Sequence, residues 1–167
     1  MKKVLLTALF AVSFGLVQAK TPNPVTEPST DRLTLVDDVI DYAKKFLASR
    51  YRSGGTTPKG FDCSGFTRFC FTRFGLSLPH SSAAQGNVGT AIDKAEAQPG
   101  DLIFFKGHSS KGTRIGHVGL ITDVNGDRIK FIHSAWNGGV RYDWLHADYY
   151  KRRFVGVRRV VNLLADN

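Results

Sequence analysis

Cysteine is almost missing from this chain. Among 167 residues there are two, Cys63 and Cys70. Two thiols cannot build a disulfide scaffold or a four-cysteine zinc site. There is no Cys-x-x-Cys pair and no His-Glu-x-x-His helix. Cys63, His117 and His133 could in principle share a metal, but without such a motif neither metal nor cofactor is expected. A long apolar run is also missing. Val4 to Val17 is the main one, shorter than the roughly 18–20 residues that cross a membrane as a helix. Acidic residues are few, 14 against 23 Lys and Arg, for a net charge of +9. No internal repeat and no second domain are apparent.

What is there begins with a targeting pattern. Lys2 and Lys3 precede the apolar stretch, and Val17-Gln18-Ala19 has small residues where a signal peptidase cuts. Residues 1–19 therefore read as a signal peptide. No cysteine stands at the cut, so no lipid anchor is expected, and the mature chain is expected to be exported, periplasmic or secreted. Removing Lys2 and Lys3 leaves 21 basic and 14 acidic residues, or +7. That charge favours an anionic partner. Export argues against nucleic acid. Residues 20–32, with Pro22, Pro24 and Pro28, read as a flexible linker. One monomeric domain is expected over 33–162, with a tail at 163–167.

Within that domain Thr34 and Asp37 resemble a capping box. Val36, Val39, Ile40, Ala43, Phe46 and Leu47 follow as one apolar stripe, a helix that stops before Gly54-Gly55. A second helix runs from Cys63, with Phe66, Phe69, Cys70 and Phe74 at helical spacing and Gly75 to end it. Ser81 to Asn87 reads as a short third helix. From Pro99 the period changes. Leu102 to Phe105 is a buried strand, and Ile115–Asp123 and Arg128–Ser134 are strands joined through Asn125-Gly126. Asp143 to Lys151 reads as helix and Phe154 to Val161 as a last strand. Helices first, then hairpin-joined strands, give an α+β domain with an antiparallel sheet.

The chemistry gathers at Cys63. Asp62 can cap the second helix, which puts Cys63 at the positive end of its dipole and favours the thiolate nucleophile. Seven residues of helix separate Cys63 from Cys70 by roughly 10 Å, beyond the roughly 7 Å limit for a disulfide, so both thiols should be free. His117 and His133 can supply a base and its orienter. With a two-residue loop at Asn125-Gly126 they point to opposite faces. With a three-residue loop, Val124 to Gly126, they lie directly opposite on one face. Gly119 leaves a gap beside His117 that the Cys63 helix could fill. His117 would then take the thiol proton, and a thiolate–imidazolium pair would form. Taken singly, a cysteine or a strand histidine is more often structural. Three together at these positions point to a cysteine hydrolase.

Five segments in order strengthen that reading: Arg50-Tyr51-Arg52-Ser53-Gly54-Gly55, Asp62-Cys63-Ser64-Gly65-Phe66, Gly100 to Phe105, Gly116-His117-Val118-Gly119-Leu120, and Phe131-Ile132-His133. Together they resemble the NlpC/p60 family of cell-wall cysteine peptidases over about Leu33 to Val160. The resemblance implies a papain-like fold and hydrolysis of peptidoglycan stem peptides, between γ-linked D-glutamate and diaminopimelate. It implies Cys63 as nucleophile, His117 as base and His133 as third polar residue. It also implies Tyr51 near the oxyanion position, with Asp62 and Ser64 binding the stem peptide and its amine. After Leu78-Pro79 many relatives carry arginine where this chain has His80, a further candidate substrate contact. The loop Lys106 to Arg114 is long and basic, able to reshape the cleft. The rival readings are a non-catalytic wall-binding module on the same fold and a secreted hydrolase or toxin acting on another amide or ester.

Overall fold

The computed structural model describes residues 30–107 and 112–164. The expected signal peptide, residues 20–29 of the expected linker, part of the basic loop with His108, and the last three residues lie outside the described residues. The elements run α1 (Thr30–Lys44), β1 (Thr56–Thr57), β2 (Gly60–Phe61), α2 (Cys63–Thr72), α3 (Ser82–Gln85), β3 (Thr90–Ile92), β4 (Leu102–Lys106), β5 (Ile115–Asn125), β6 (Arg128–Ala135), β7 (Gly139–Trp144), α4 (Asp148–Lys151) and β8 (Phe154–Arg159). Short 3-10 turns lie at Lys94–Glu96 and Val161–Leu164. Six strands form one antiparallel sheet in the order β3-β8-β4-β5-β6-β7, and β1 and β2 make a separate hairpin. This is the α+β architecture that the order of helices and strands predicts.

Strand β4 explains the core. Leu102 and Phe104 point to one face and join Val118, Leu120 and Ile132 against Val39 and Ile40 of α1 and Phe66, Cys70 and Phe71 of α2. Ile103 and Phe105 point to the other, with Ile121, Phe131, Tyr150 of α4 and Val157 of β8. Covered on both faces, β4 reads in sequence as a continuous apolar run instead of an alternation.

Three expectations need correction. Helix α1 starts at Thr30, so residues 30–32 are helical, not linker, and Thr34 and Asp37 lie inside the helix instead of capping it. The same helix ends at Lys44, well short of Gly54. There Ala48 takes φ +65°, its N–H donates to Val140 O at 2.9 Å, and Val140 N–H donates to Ser49 O at 2.8 Å. A Cβ on Gly139 would collide with the Ser49 carbonyl, so only glycine allows this approach. Edge pairing with β7 thus wins over the helical stripe at Phe46 and Leu47. Asp143 and Trp144, read as helix, end β7 opposite Phe131 and Lys130, and only Asp148–Lys151 is helical. Pairing with β6 overrides the local signal.

Candidate active site

The nucleophile end of the site is local. Asp62 is extended (φ −88°, ψ 177°), and its Oδ1 accepts from Gly65 N–H at 2.7 Å and from Ser64 Oγ at 3.1 Å. This is the predicted N-cap. A Cβ on Gly65 would meet the Gly55 carbonyl, so the glycine lets the β1–β2 hairpin seat against the first turn. Gly75, at φ +90°, closes the helix, with its N–H on Thr72 O at 3.2 Å. Buried Gln85 of α3 holds α2 from behind. Its Nε2 donates to Ser64 O at 3.0 Å and Pro79 O at 2.8 Å, and its Oε1 accepts from Thr67 Oγ1 at 2.8 Å. No sequence motif marked Gln85.

Cys63 and Cys70 both lie on α2, and both thiols are free. Cys63 is half-buried and packs with the helix-face core. Burial pushes its thiol up to about 11, and the Asp62 charge adds to the rise. Backbone N–H groups of Val118, Ser64 and Cys63 itself oppose it. Desolvation outweighs these N–H groups, so burial favours the thiol over the expected thiolate.

The histidines reach one face by a route the sequence did not give. The hairpin turn is Gly126-Asp127, between the paired residues Asn125 and Arg128. Carried straight along the strands, that register would put His117 and His133 on opposite faces. The pairing shifts between Ile121 and Asp123, and this bulge restores a common face. The pairing Leu120–Ile132 beyond it sets Gly119, not His117, opposite His133. The gap at Gly119 is filled by Phe131 and His133, not by α2; a Cβ there would come within 2.8 Å of Phe131. The two histidines are therefore diagonal neighbours, with His117 Nε2 at 2.7 Å from His133 Nδ1.

Behind them is a polar chain that sequence reading missed. His133, 1% exposed, sets Nε2 at 2.9 Å from Asp143 Oδ2. Arg141 Nε and Tyr150 Oη donate to the same oxygen at 2.9 and 2.8 Å. Burial alone would raise the Asp143 carboxyl. Hydrogen bonds from His133 and Tyr150 and the charge of Arg141 outweigh it and hold the group at about 2. Burial lowers both histidines below the ordinary imidazole range; His133 lowers His117 further, and Asp143 opposes the drop in both. Burial thus favours the neutral imidazole in both rings, and with the raised thiol it runs against the expected thiolate–imidazolium pair. The signal that could have found Asp143 is the alternation Arg141-Tyr142-Asp143 on a strand paired to β6.

Cys63, His117, His133 and Asp143 line one cleft of about 530 Å³, with Tyr51, Trp136 and Tyr150 also in its wall. A bridge to Phe61 sets Tyr51 beside the thiol. Burial raises its hydroxyl pKa, with Cys63 and Asp62 adding to the rise. Among the described residues no hydrogen bond joins Cys63 to His117; the sulfur instead meets the Val118 N–H. Asp62, Ser64 and His80 do not line this cleft. They bond one another beside the first turn of α2, with His80 Nε2 at 2.9 Å from Asp62 Oδ2. No grouping of three or more metal-ligating side chains suited to an ion occurs among the described residues, and no described helix is long and apolar enough to cross a membrane.

The sequence profile of the NlpC/P60 family matches residues 48–159. The chain is 36% identical over 158 residues to the probable endopeptidase NlpC of Escherichia coli, covering 94% of this chain and 97% of that protein. It is 41% identical over 122 residues to the probable endopeptidase p60 of Listeria seeligeri, covering 73% of this chain but only 22% of that longer protein. The crystal structure of an NlpC/P60 family protein from Bacillus cereus superposes with a TM-score of 0.69 at 35% identity, over 75% of this chain and 40% of that one. A matching profile that spans every strand of the cleft, and near full-length likeness to one relative, lead to a single conclusion: the chain belongs to the NlpC/P60 family.

Proposed function

We propose that this chain is an exported peptidoglycan endopeptidase that cuts the stem peptide, with Cys63 as nucleophile, His117 as base and His133 as the residue that orients it. The observation that carries the proposal is the shared cleft. A cysteine at a helix start and a histidine whose far nitrogen is held at 2.7 Å by a second histidine face one space. The names of the relatives, probable endopeptidases, agree with that chemistry.

From a neutral pair the proton moves as the new bond forms. His117 takes the Sγ proton while Sγ adds to the scissile carbonyl carbon, and the carbonyl electrons move to oxygen. The backbone N–H of Cys63 and the positive end of α2 meet that oxyanion. As the intermediate collapses the C–N bond breaks, and His117 hands its proton to the departing amine, leaving a thioester on Cys63. Water then attacks, His117 takes its proton, and the C–S bond breaks to free the acid and restore the thiol. Hydrogen bonds of this kind are often loose in an unliganded site and tighten on binding, which fits a sulfur not yet bonded to His117.

The bond we assign is the one between γ-linked D-glutamate and diaminopimelate. Tyr51 lies in the cleft wall, and the Asp62, Ser64 and His80 cluster beside it offers an acidic corner for the stem-peptide amine. A synthetic stem peptide with a free N-terminus, digested and read by mass spectrometry, tests the assignment. The expected products are the dipeptide ending in D-glutamate and a fragment beginning with diaminopimelate. A cut elsewhere in the peptide would overturn the bond but keep the enzyme. No cut in any peptidoglycan fragment would favour the wall-binding module.

A further inference from the structure

The buried chain behind His117 decides where its proton sits. Asp143 is ionised, so its Oδ2 can only accept. Arg141 Nε and Tyr150 Oη already donate to that oxygen, and the third partner at 2.9 Å is His133 Nε2. His133 Nε2 must therefore carry its hydrogen. In a neutral ring this leaves His133 Nδ1 bare. Two bare nitrogens cannot bond at 2.7 Å, so His117 Nε2 carries the hydrogen that fills the gap. The remaining nitrogen of His117, Nδ1, is then the one with a free lone pair.

We infer that Asp143 is a positioning residue that, acting through His133, fixes His117 in the Nε2–H tautomer and so makes Nδ1 the basic atom. Arg141 and Tyr150 hold the carboxylate in the single orientation this requires. Asp143 touches neither the thiol nor the scissile bond. Its effect passes along two rings, each locked by packing. Phe131 lies tilted against His133 at 5.0 Å between ring centroids, and Phe105 lies 6.1 Å from His117. When His117 accepts the thiol proton it becomes a cation, and the Asp143 charge two partners away stabilises it.

An Asn at 143 separates the charge and tautomer effects from a mere loss of shape. Its amide can turn its NH2 toward His133 Nε2. That strips the hydrogen from Nε2, moves it to Nδ1, and inverts the whole chain, leaving His117 Nδ1 protonated and unable to act as base. The test has two arms. In the first, 15N NMR of histidine-labelled protein near neutral pH reads the ring tautomers. Wild type should show both His117 and His133 as Nε2–H, and Asp143→Asn should show the Nδ1–H form populated in one or both. This arm holds whatever the substrate proves to be. In the second, which rests on the hydrolase reading, Asp143→Asn should lower kcat by roughly 10²–10⁴-fold with KM little changed. Asp143→Glu, which restores the carboxylate, should recover about tenfold or more of that loss. Circular dichroism confirms that each variant is folded. A wild-type His117 found as Nδ1–H, or a folded Asp143→Asn with unchanged tautomers and kcat within about twofold, overturns the inference. Correct tautomers in a protein that cleaves nothing would instead sink the hydrolase reading and leave the proton chain standing.

Discussion

The two ends of the cleft are built in opposite ways. At the nucleophile end, Asp62 caps Gly65 and binds Ser64 within three residues, and reaches out only to His80, itself partly exposed. At the base end, His117, His133, Asp143 and Tyr150 come from three strands and a helix, and His133 is 1% exposed. One end is a helix start that a short peptide could nearly write. The other exists only when β5, β6 and β7 are in register. The contrast also appears in the two His–Asp pairs, both at 2.9 Å. Water can replace a lost partner in His80–Asp62. It cannot readily do so at His133, which is 1% exposed and whose loss would leave a cavity.

The comparison breaks most visibly at the sulfur. Cys63→Ala should lower hydrolysis by on the order of 10⁴-fold or more with folding intact, since the group removed forms the covalent bond. Next come the two His–Asp pairs. His133→Ala should destabilise the domain by about 3 kcal/mol in urea unfolding, because it leaves a cavity in the core and takes one donor from a carboxylate that Arg141 and Tyr150 still hold. His80→Ala should cost less than about 1 kcal/mol. Equal costs would erase the distinction between the two ends. Gln85→Ala should sit between them, at about 2 kcal/mol, since it strands buried partners on α2 and at Pro79.

Acid sharpens the same contrast. His133 titrates lower in the fold than its ordinary value of 6.5, because burial opposes its charge. The unfolded chain therefore binds more protons below about 6.5, and stability should fall as pH drops through that range. Thermal melts from pH 7.5 to 4.5 measure this. His133→Gln should flatten the slope, leaving the share that His117 carries.

A smaller effect concerns the thiol. With Cys63 raised to about 11, alkylation by iodoacetamide should climb through pH 8–10 without levelling, and Cys70, fully buried, should lag. Asp62→Asn keeps a capping side chain but removes a charge that raises the thiol. It should speed Cys63 alkylation by a few-fold at fixed pH. Slower alkylation would mean the cap, not the charge, governs the thiol.

How far each end could be read from sequence follows from the same difference. The Asp62 cap, the α2 stripe and the Gly75 stop are local rules, and the fold class followed from the order of helices and hairpins. The common face of His117 and His133 has a different cause from the loop length that predicts it. A two-residue turn at Gly126-Asp127 and a bulge near Thr122 jointly give what a three-residue loop alone was expected to give. A bulge carries no residue signature as clear as Asn-Gly, so neither the shift nor the diagonal pairing was visible. Asp143 was hidden because β7 is an edge strand with mixed polarity, held by pairing with β6 and by the Ala48–Val140 bonds. The thiol pKa lies above what the helix position predicts because that position is legible in sequence and burial is not.

Digestion of purified sacculi tests the central claim most directly. Wild-type protein and Cys63→Ala, matched for folding, are incubated with the same sacculi, and the soluble fraction is read by mass spectrometry. The predicted result is stem-peptide fragments with new termini from wild type and none from Cys63→Ala. Identical fragments from both, or none from either, would contradict a cleft in which Cys63 and His117 act together on the stem peptide.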